Sequence, residues 1–478
     1  MNAETPTRIM RGCHLPGFED IDGEHDCEIT NIEGEIPREI TGTLFRNGPG
    51  RLKIGEHKFG HWFDGDGMLN AFTFSDGKLH YRNRYVRTTK YLRETAAQKI
   101  LYRGVGTQRP GGFLNNMFRF PGNAANTSVV YHGGKLLTLW EGGDPWELDP
   151  ATLETRGAWK FDGKLKSAMP FSAHGKINPR TGYYYNFGMM GALNFYKIDP
   201  DGEMEQSVRH KVGNYAMCHD FAMTDKYAIF FLVPAVFKSP LRFVLGMDSI
   251  VDAMSFDDSM PTKIVVLSLD DLSIVREFET PAFFCFHFGN SWEEGSKLHV
   301  DVSRVDKMAS MDAMRDVFED KEVEQDPSAC FYRFILDLDT GEVGGYKHEN
   351  TLPGDFPMWD TRATGAKTRY SYLASFLENG TPYAFNALQK LDSETGEVKV
   401  YDFGVGRFTS EALFVPRNAE AAEDDGWLVA VVFNANTGNS ELSLVDAREM
   451  DREVAVASLD HHIPFGFHGF WEPQVFSA

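Results

Sequence analysis

LQKLDSETGEVKVYDF, residues 388–403, decides the fold. An apolar run closes on Asp392, a turn passes through Thr395 and Gly396, and a second alternating run starts at Val398. Aspartate supplies local hydrogen bonds in such a turn and glycine the positive φ, so the segment predicts strand, tight turn, strand. Six others share the pattern: AFTFSDGKLHYRNRY (71–85), PWELDPATLETRG (145–157), FYKIDPDGEMEQ (195–206), VVLSLDDLSIVREF (265–278), FILDLDTGEVGGY (334–346) and LSLVDAREMDREVAVA (442–457). Their turns, at Asp76, Asp149, Asp199, Asp270, Asp339, Asp392 and Asp446, are spaced by 73, 50, 71, 69, 53 and 54 residues.

A period near fifty with insertions fits a β-propeller, whose four-stranded blades bury their faces against each other. Seven hairpins predict an all-β, seven-bladed propeller; an extra hairpin at KINPRTGYYYN (176–186) fits the inner strands of one blade. Two insertions have apolar spacing near 3.6, KYLRETAAQKILYRG (90–104) and KMASMDAMRDVFEDKEVE (307–324). No linker or low-complexity tract interrupts the chain. The expectation is one domain over 1–478, capped on one face by insertions at about 90–118, 235–260 and 307–326.

The 478 residues are 42% hydrophobic and 24% charged, the balance of a soluble globular chain. A net charge of −21 argues against nucleic acid and anionic membranes as partners. Five dispersed cysteines without a C-x-x-C pair read as reduced thiols, and the N-terminal residues lack the apolar core of a signal peptide, so a cytoplasmic location is expected. The greasiest stretch, 228–254, is broken by Pro234, Lys238, Pro240 and Arg242 and reads first as buried core, with a greasy rim on a cavity mouth or a shallow membrane contact as the weaker alternatives. A homodimer is compatible with the sequence but not specified by it. No P-loop, G-x-S-x-G elbow or dinucleotide fingerprint is present. The FDGDGM run (63–68) offers Asp64 and Asp66 but lacks the rest of a calcium loop.

Among fifteen histidines, His174, His219, His287 and His468 lie among small or apolar neighbours, 45, 68 and 181 residues apart. Short-range zinc motifs do not space ligands this way. In a propeller the innermost strand of every blade ends near the central axis, so residues a blade or more apart can converge there, and four imidazoles would suit Fe(II) as well as zinc. From the pattern alone, four separate core histidines remain the simpler reading.

The ordered set GTLFRNGPG (42–50), HWFDGDGMLNAFTF (61–74), LWEGG (139–143), SAHGKINPRTG (172–182), CHDFAMT (218–224), FHFGNSWEEG (286–295), SEALFVPR (410–417), EDDGWLVAVVF (423–433) and PFGFHGFW (464–471) resembles the carotenoid cleavage oxygenase family. That family includes stilbene-cleaving dioxygenases, apocarotenoid oxygenases and the retinoid isomerase of the eye. The resemblance implies a seven-bladed propeller in which His174, His219, His287 and His468 hold a nonheme Fe(II) that works with O₂. It implies that Glu141, Asp355 and Glu411 anchor ligand imidazoles, as such ligands require. Many relatives have glutamate where this chain has the shorter Asp355, so that contact is expected to be lengthened or bridged by water.

Resemblance to the stilbene-cleaving branch further implies a grip on a 4-hydroxystilbene. Phe59 would stack on its ring, Tyr102 and Lys135 would hold and ionise a phenol of pKa about 10, and Thr127 would orient oxygen near the metal. The implied reaction splits the central double bond of a lignostilbene or resveratrol-like substrate into two aromatic aldehydes. The alternative within the family is cleavage of an apocarotenoid or carotenoid polyene; outside it, a metal-free propeller scaffold.

Overall fold

Every one of the seven hairpins forms the third and fourth strands, counted from the axis, of one sheet in the computed structural model. The structure describes residues 12–476 except 167, 168, 309, 322, 324, 325, 327 and 378–383, and not the side chains of 310–312. Seven sheets of four or five strands form the blades, and two short two-stranded sheets accompany them (Lys53–Ile54 with His57–Lys58, and Ala235–Phe237 with Met254–Phe256). KINPRTGYYYN pairs Ile177 with Tyr184, joining the two inner strands of the third blade.

The ring is closed from both ends of the chain. The C-terminal strand Gly469–Glu472 pairs with Gly42–Arg51 and becomes the innermost strand of the first blade. Ile32–Gly34 pairs with Glu453–Ser458 and becomes the outermost strand of the last. Leu44, Phe72, Trp427 and Leu444, all fully buried, fill the junction between these two blades. Each blade needs a neighbour on both faces, and the two exchanged strands fasten the one junction that chain order leaves open.

Helices lie in the loops over one face: Thr89–Ala97, Phe113–Asn116, Pro240–Val244, Ile250–Ala253 and Ser310–Phe318. Positions 309, 322, 324 and 325 of the expected third insertion lie outside the described residues. Thr89–Ala97 starts where the Thr88 hydroxyl accepts the Tyr91 N–H and stops at left-handed Gln98. It is bolted to the propeller by fully buried Lys90, whose Nζ reaches Asp66 Oδ1 at 2.8 Å and Glu94 Oε2 at 3.2 Å. Glu94 Oε1 in turn accepts the N–H groups of Leu101 and Tyr102. Asp64 accepts the N–H groups of Val105, Gly106 and Thr107, so the FDGDGM acids clasp the cap onto the ring.

Lys90→Met leaves Glu94 buried without its cation and Asp66 with Arg51 alone. The variant is expected to lose roughly 3–5 kcal/mol of stability in denaturant unfolding.

Candidate metal centre and substrate cavity

Each of the four histidines sits at or just before an innermost strand. His174 precedes Lys176–Ile177, His219 precedes Ala222–Met223, His287 lies within Phe284–Glu294, and His468 precedes Gly469–Glu472. Their loops are held by backbone contacts that tolerate little change. A Cβ at Gly175 would lie 2.2 Å from the Tyr184 ring, and one at Gly48 would lie 2.5 Å from Gly466 Cα. Asn47 N–H donates to the His468 carbonyl at 2.8 Å and Phe467 N–H to the Asn47 carbonyl at 3.0 Å, riveting the last histidine loop to the first blade.

The four rings converge. Nε2 of His174 lies 3.0 Å from that of His219, His219 lies 3.2 Å from His287, and His287 lies 3.2 Å from His468. One ligand atom from each fits within 4.8 Å of all the others. On the far side of the rings, Nδ1 of His219, His287 and His468 meets Glu141 (2.9 Å), Asp355 (3.0 Å) and Glu411 (2.9 Å). A carboxylate at Nδ1 keeps the proton there and turns the Nε2 lone pair inward. Four inward lone pairs this close repel one another unless a cation lies among them, so the residues fit a divalent metal held by four neutral nitrogens.

Asp355 therefore reaches His287 directly, without the lengthening expected for the shorter side chain. Asp355 and Glu141 both approach obliquely, and of the three carboxylates only Glu411 forms a well-aligned bond. Sequence reading missed Arg46, whose guanidinium bonds Glu411, Ser410 and the Phe467 carbonyl behind His468. It also missed Asp220, which bonds Lys176 at 2.9 Å and lies 3.9 Å from His174 Nδ1. Nothing in the local pattern of FRN (45–47) or HDF (219–221) marks either residue as a partner of a site assembled from other blades.

Burial pulls His468 down to about 4 against the opposing pull of Glu411. Burial, reinforced by the other three imidazoles, puts His174 well below its usual range. Burial lowers His287 too, but Asp355 more than offsets it and raises the group. Glu411, which burial alone would raise, is held at about 2 by His468 and Arg46.

Three innermost strands carry the same irregularity. One extra residue bulges between Cys285 and Phe288, between Asp355 and Met358, and between Thr409 and Ala412. The bulged segments contain His287, Phe356 and Glu411, and Phe356 at φ 54° stacks on His287 with ring centroids 4.9 Å apart. Bulges re-aim side chains that a regular strand would send elsewhere, here toward the axis.

A cavity of about 950 Å³ opens between the cap and the histidines, its wall including Phe63, Trp140, Met217, Phe286, Phe356 and Phe467. Thr127 lines it, and its carbonyl accepts the His468 N–H at 3.2 Å, beside the metal centre as expected. Lys135, Tyr102 and Phe59 are not among the described residues of the wall. Lys135 begins the strand Lys135–Leu139 at the hairpin facing away from the cavity, with Nζ over the Trp159 ring and 3.5 Å from Glu147. Six residues of extended chain separate it from Glu141, roughly 20 Å at about 3.3 Å per residue. Tyr102 sits behind Gly122 and accepts a hydrogen bond from Arg93 on the surface. Phe59 packs with Ile54 and Ile100 beneath Lys90. The structure thus gathers the histidines, the three carboxylates and Thr127, and leaves the phenol-gripping trio outside.

The apolar stretch 228–254 divides. Ala228–Ala235 is buried core, whereas Leu241, Val244 and Met247 are exposed, as are Phe113, Leu114, Phe118, Phe120 and Met190; Val244, Phe120 and Met190 also line the cavity. No helix among the described residues is long and apolar enough to cross a membrane.

Asp355→Asn exchanges the charge behind His287 for a dipole. Its affinity for divalent iron is expected to fall about 10–100-fold, measured by competition with a chromogenic chelator.

The retinal pigment epithelial membrane protein family matches residues 18–473. Apocarotenoid-15,15'-oxygenase of Synechocystis sp. is 34% identical over 96% of this chain and 95% of its own length. Lignostilbene-alpha,beta-dioxygenase isozyme III of Sphingomonas paucimobilis is 32% identical, covering 94% of each. The crystal structure of cobalt-substituted Synechocystis ACO superimposes with a TM-score of 0.91 at 32% identity, over 98% of this chain and 100% of that one. With four converging imidazoles and a matching seven-bladed ring, the chain belongs to the carotenoid cleavage oxygenase family of nonheme Fe(II) dioxygenases.

Proposed function

We propose that the chain cleaves a double bond of an apolar polyene of the apocarotenoid type, using O₂. The observation that carries this reading is the wall of the 950 Å³ cavity, in which aromatic and aliphatic side chains outnumber the charged ones, with Lys135 outside it. The volume lies near the top of the range of about 300–1,000 Å³ usual for small-molecule sites. When bound, Fe(II) supplies the activation of dioxygen. The protein's own groups hold and shield the substrate: Trp140, Phe286 and Phe467 flank a flat conjugated chain and exclude water from the reacting bond. The exposed apolar rim supports collection of such a substrate from a lipid surface.

A 4-hydroxystilbene is the second reading. It is favoured by the similarity to the lignostilbene dioxygenase and by Arg304 and Lys307, cations in the cavity wall able to face a phenolate.

Iron-loaded enzyme assayed in parallel with an apocarotenal and resveratrol separates the readings. The expected kcat/KM favours the apocarotenal by at least about tenfold, or ~1.4 kcal/mol, and the opposite ranking selects the stilbene. Lys135→Met is expected to leave both rates within about twofold, as befits a half-buried residue remote from the site. Phe120→Glu with Leu114→Glu is expected to weaken co-sedimentation with zwitterionic vesicles while detergent-dispersed substrate is still turned over.

A further inference from the structure

The four-histidine centre has a second cavity on its other side. This space of about 370 Å³ is bounded by His174, His287 and His468, and it shares His287, His468 and Phe356 with the substrate cavity. Its walls are the innermost strands themselves, running away from the cap: Val129, Ile177, Phe288, Met358, Leu413 and Trp471 come from six different blades. It therefore lies along the propeller axis. At the far end Pro179 and Thr361 are exposed, so the channel meets solvent on the uncapped face.

The two cavities differ in chemistry. The axial channel holds the buried Asp220 carboxylate, bonded to Lys176 Nζ at 2.9 Å and aimed toward His174, together with Arg362 on Asp360 and the inner end of Glu411. The capped cavity has carboxylates too, Glu141 and Asp355 behind the histidines and Asp326, but a hydrated divalent cation crossing it would shed its water mostly among aromatic and aliphatic side chains, which is strongly unfavourable. In the axial channel, the Asp220 and Glu411 carboxylates lie in the wall beside the histidines, oxygen ligands able to replace part of that water as they do for hard cations. The paired Lys176 ammonium opposes a second positive charge at Asp220, so a cation is passed on to the imidazoles instead of being retained there.

We propose that the axial channel is the route by which divalent metal and water reach the histidines, while organic substrate uses the capped cavity. The proposal rests on the metal centre and is independent of which alkene is cleaved. It assigns the propeller's hollow axis a function in loading the site.

The test follows Co(II) uptake by metal-free protein through its visible absorption in a stopped-flow instrument. Thr361→Cys is capped after folding with bulky methanethiosulfonate reagents, and wild type treated identically controls for the native cysteines. Capping is expected to slow uptake at least about tenfold, and thiol release of the cap, followed by gel filtration, to restore it. Pro179→Trp, a permanent plug on a different blade, is expected to slow uptake similarly, with KM for the organic substrate unchanged. Met190→Trp, at the mouth of the capped cavity, is expected to raise KM and leave Co(II) uptake alone. Uptake insensitive to capping at 361 and to Pro179→Trp overturns the proposal, as does uptake slowed by Met190→Trp or by filling the apolar cavity with a nonionic detergent. Reversal of the cap in one folded sample separates a blocked channel from a damaged fold.

Discussion

Four nitrogen lone pairs brought within about 3 Å of their neighbours form the interaction on which the structure turns. No two of these histidines are adjacent in sequence, and each comes from a different blade. Their mutual repulsion, and the cost of burying them, are borne by groups that otherwise look incidental. Glu141, Asp355 and Glu411 fix the tautomers, Arg46 steadies Glu411, and Gly48 and Gly175 let backbone and ring approach where a side chain would not fit. A seven-bladed ring suits this task because every blade starts at the axis, whatever its distance along the chain.

The ring also separates two solvents. On the capped face the histidines look into an aromatic chamber whose mouth is greasy, and on the other into a smaller axial channel where apolar strand residues alternate with the Asp220–Lys176 and Asp360–Arg362 pairs. Lys90, Asp66 and Glu94 hold the roof of the chamber to the ring with charge instead of grease. That leaves the apolar surface of the cap free to form the chamber wall and its rim.

The hairpins were legible because everything that makes them is local: aspartate and glycine within a few residues of alternating apolar runs. The metal ligands were legible only through resemblance, since spacings of 45, 68 and 181 residues carry no periodic signal. Lys135, Tyr102 and Phe59 lie near motifs that do reach the site, and proximity in sequence misled. Lys135 is six residues from Glu141, but along an extended strand that places it at the opposite end of the blade. Residues 286–287, 356–357 and 410–411 show the converse problem. A one-residue bulge in each innermost strand overrides the alternation by which inward and outward positions are read, and no turn residue announces it.

The order in which the parts appear along the chain governs assembly during synthesis. His468 leads directly into Gly469–Glu472, the strand that locks the first blade to the last. A ribosome-bound chain can stack six blades and still present only three imidazoles, with the ring unsealed. The fourth nitrogen arrives with the clasp, so capture of the ion and completion of the circle become one event.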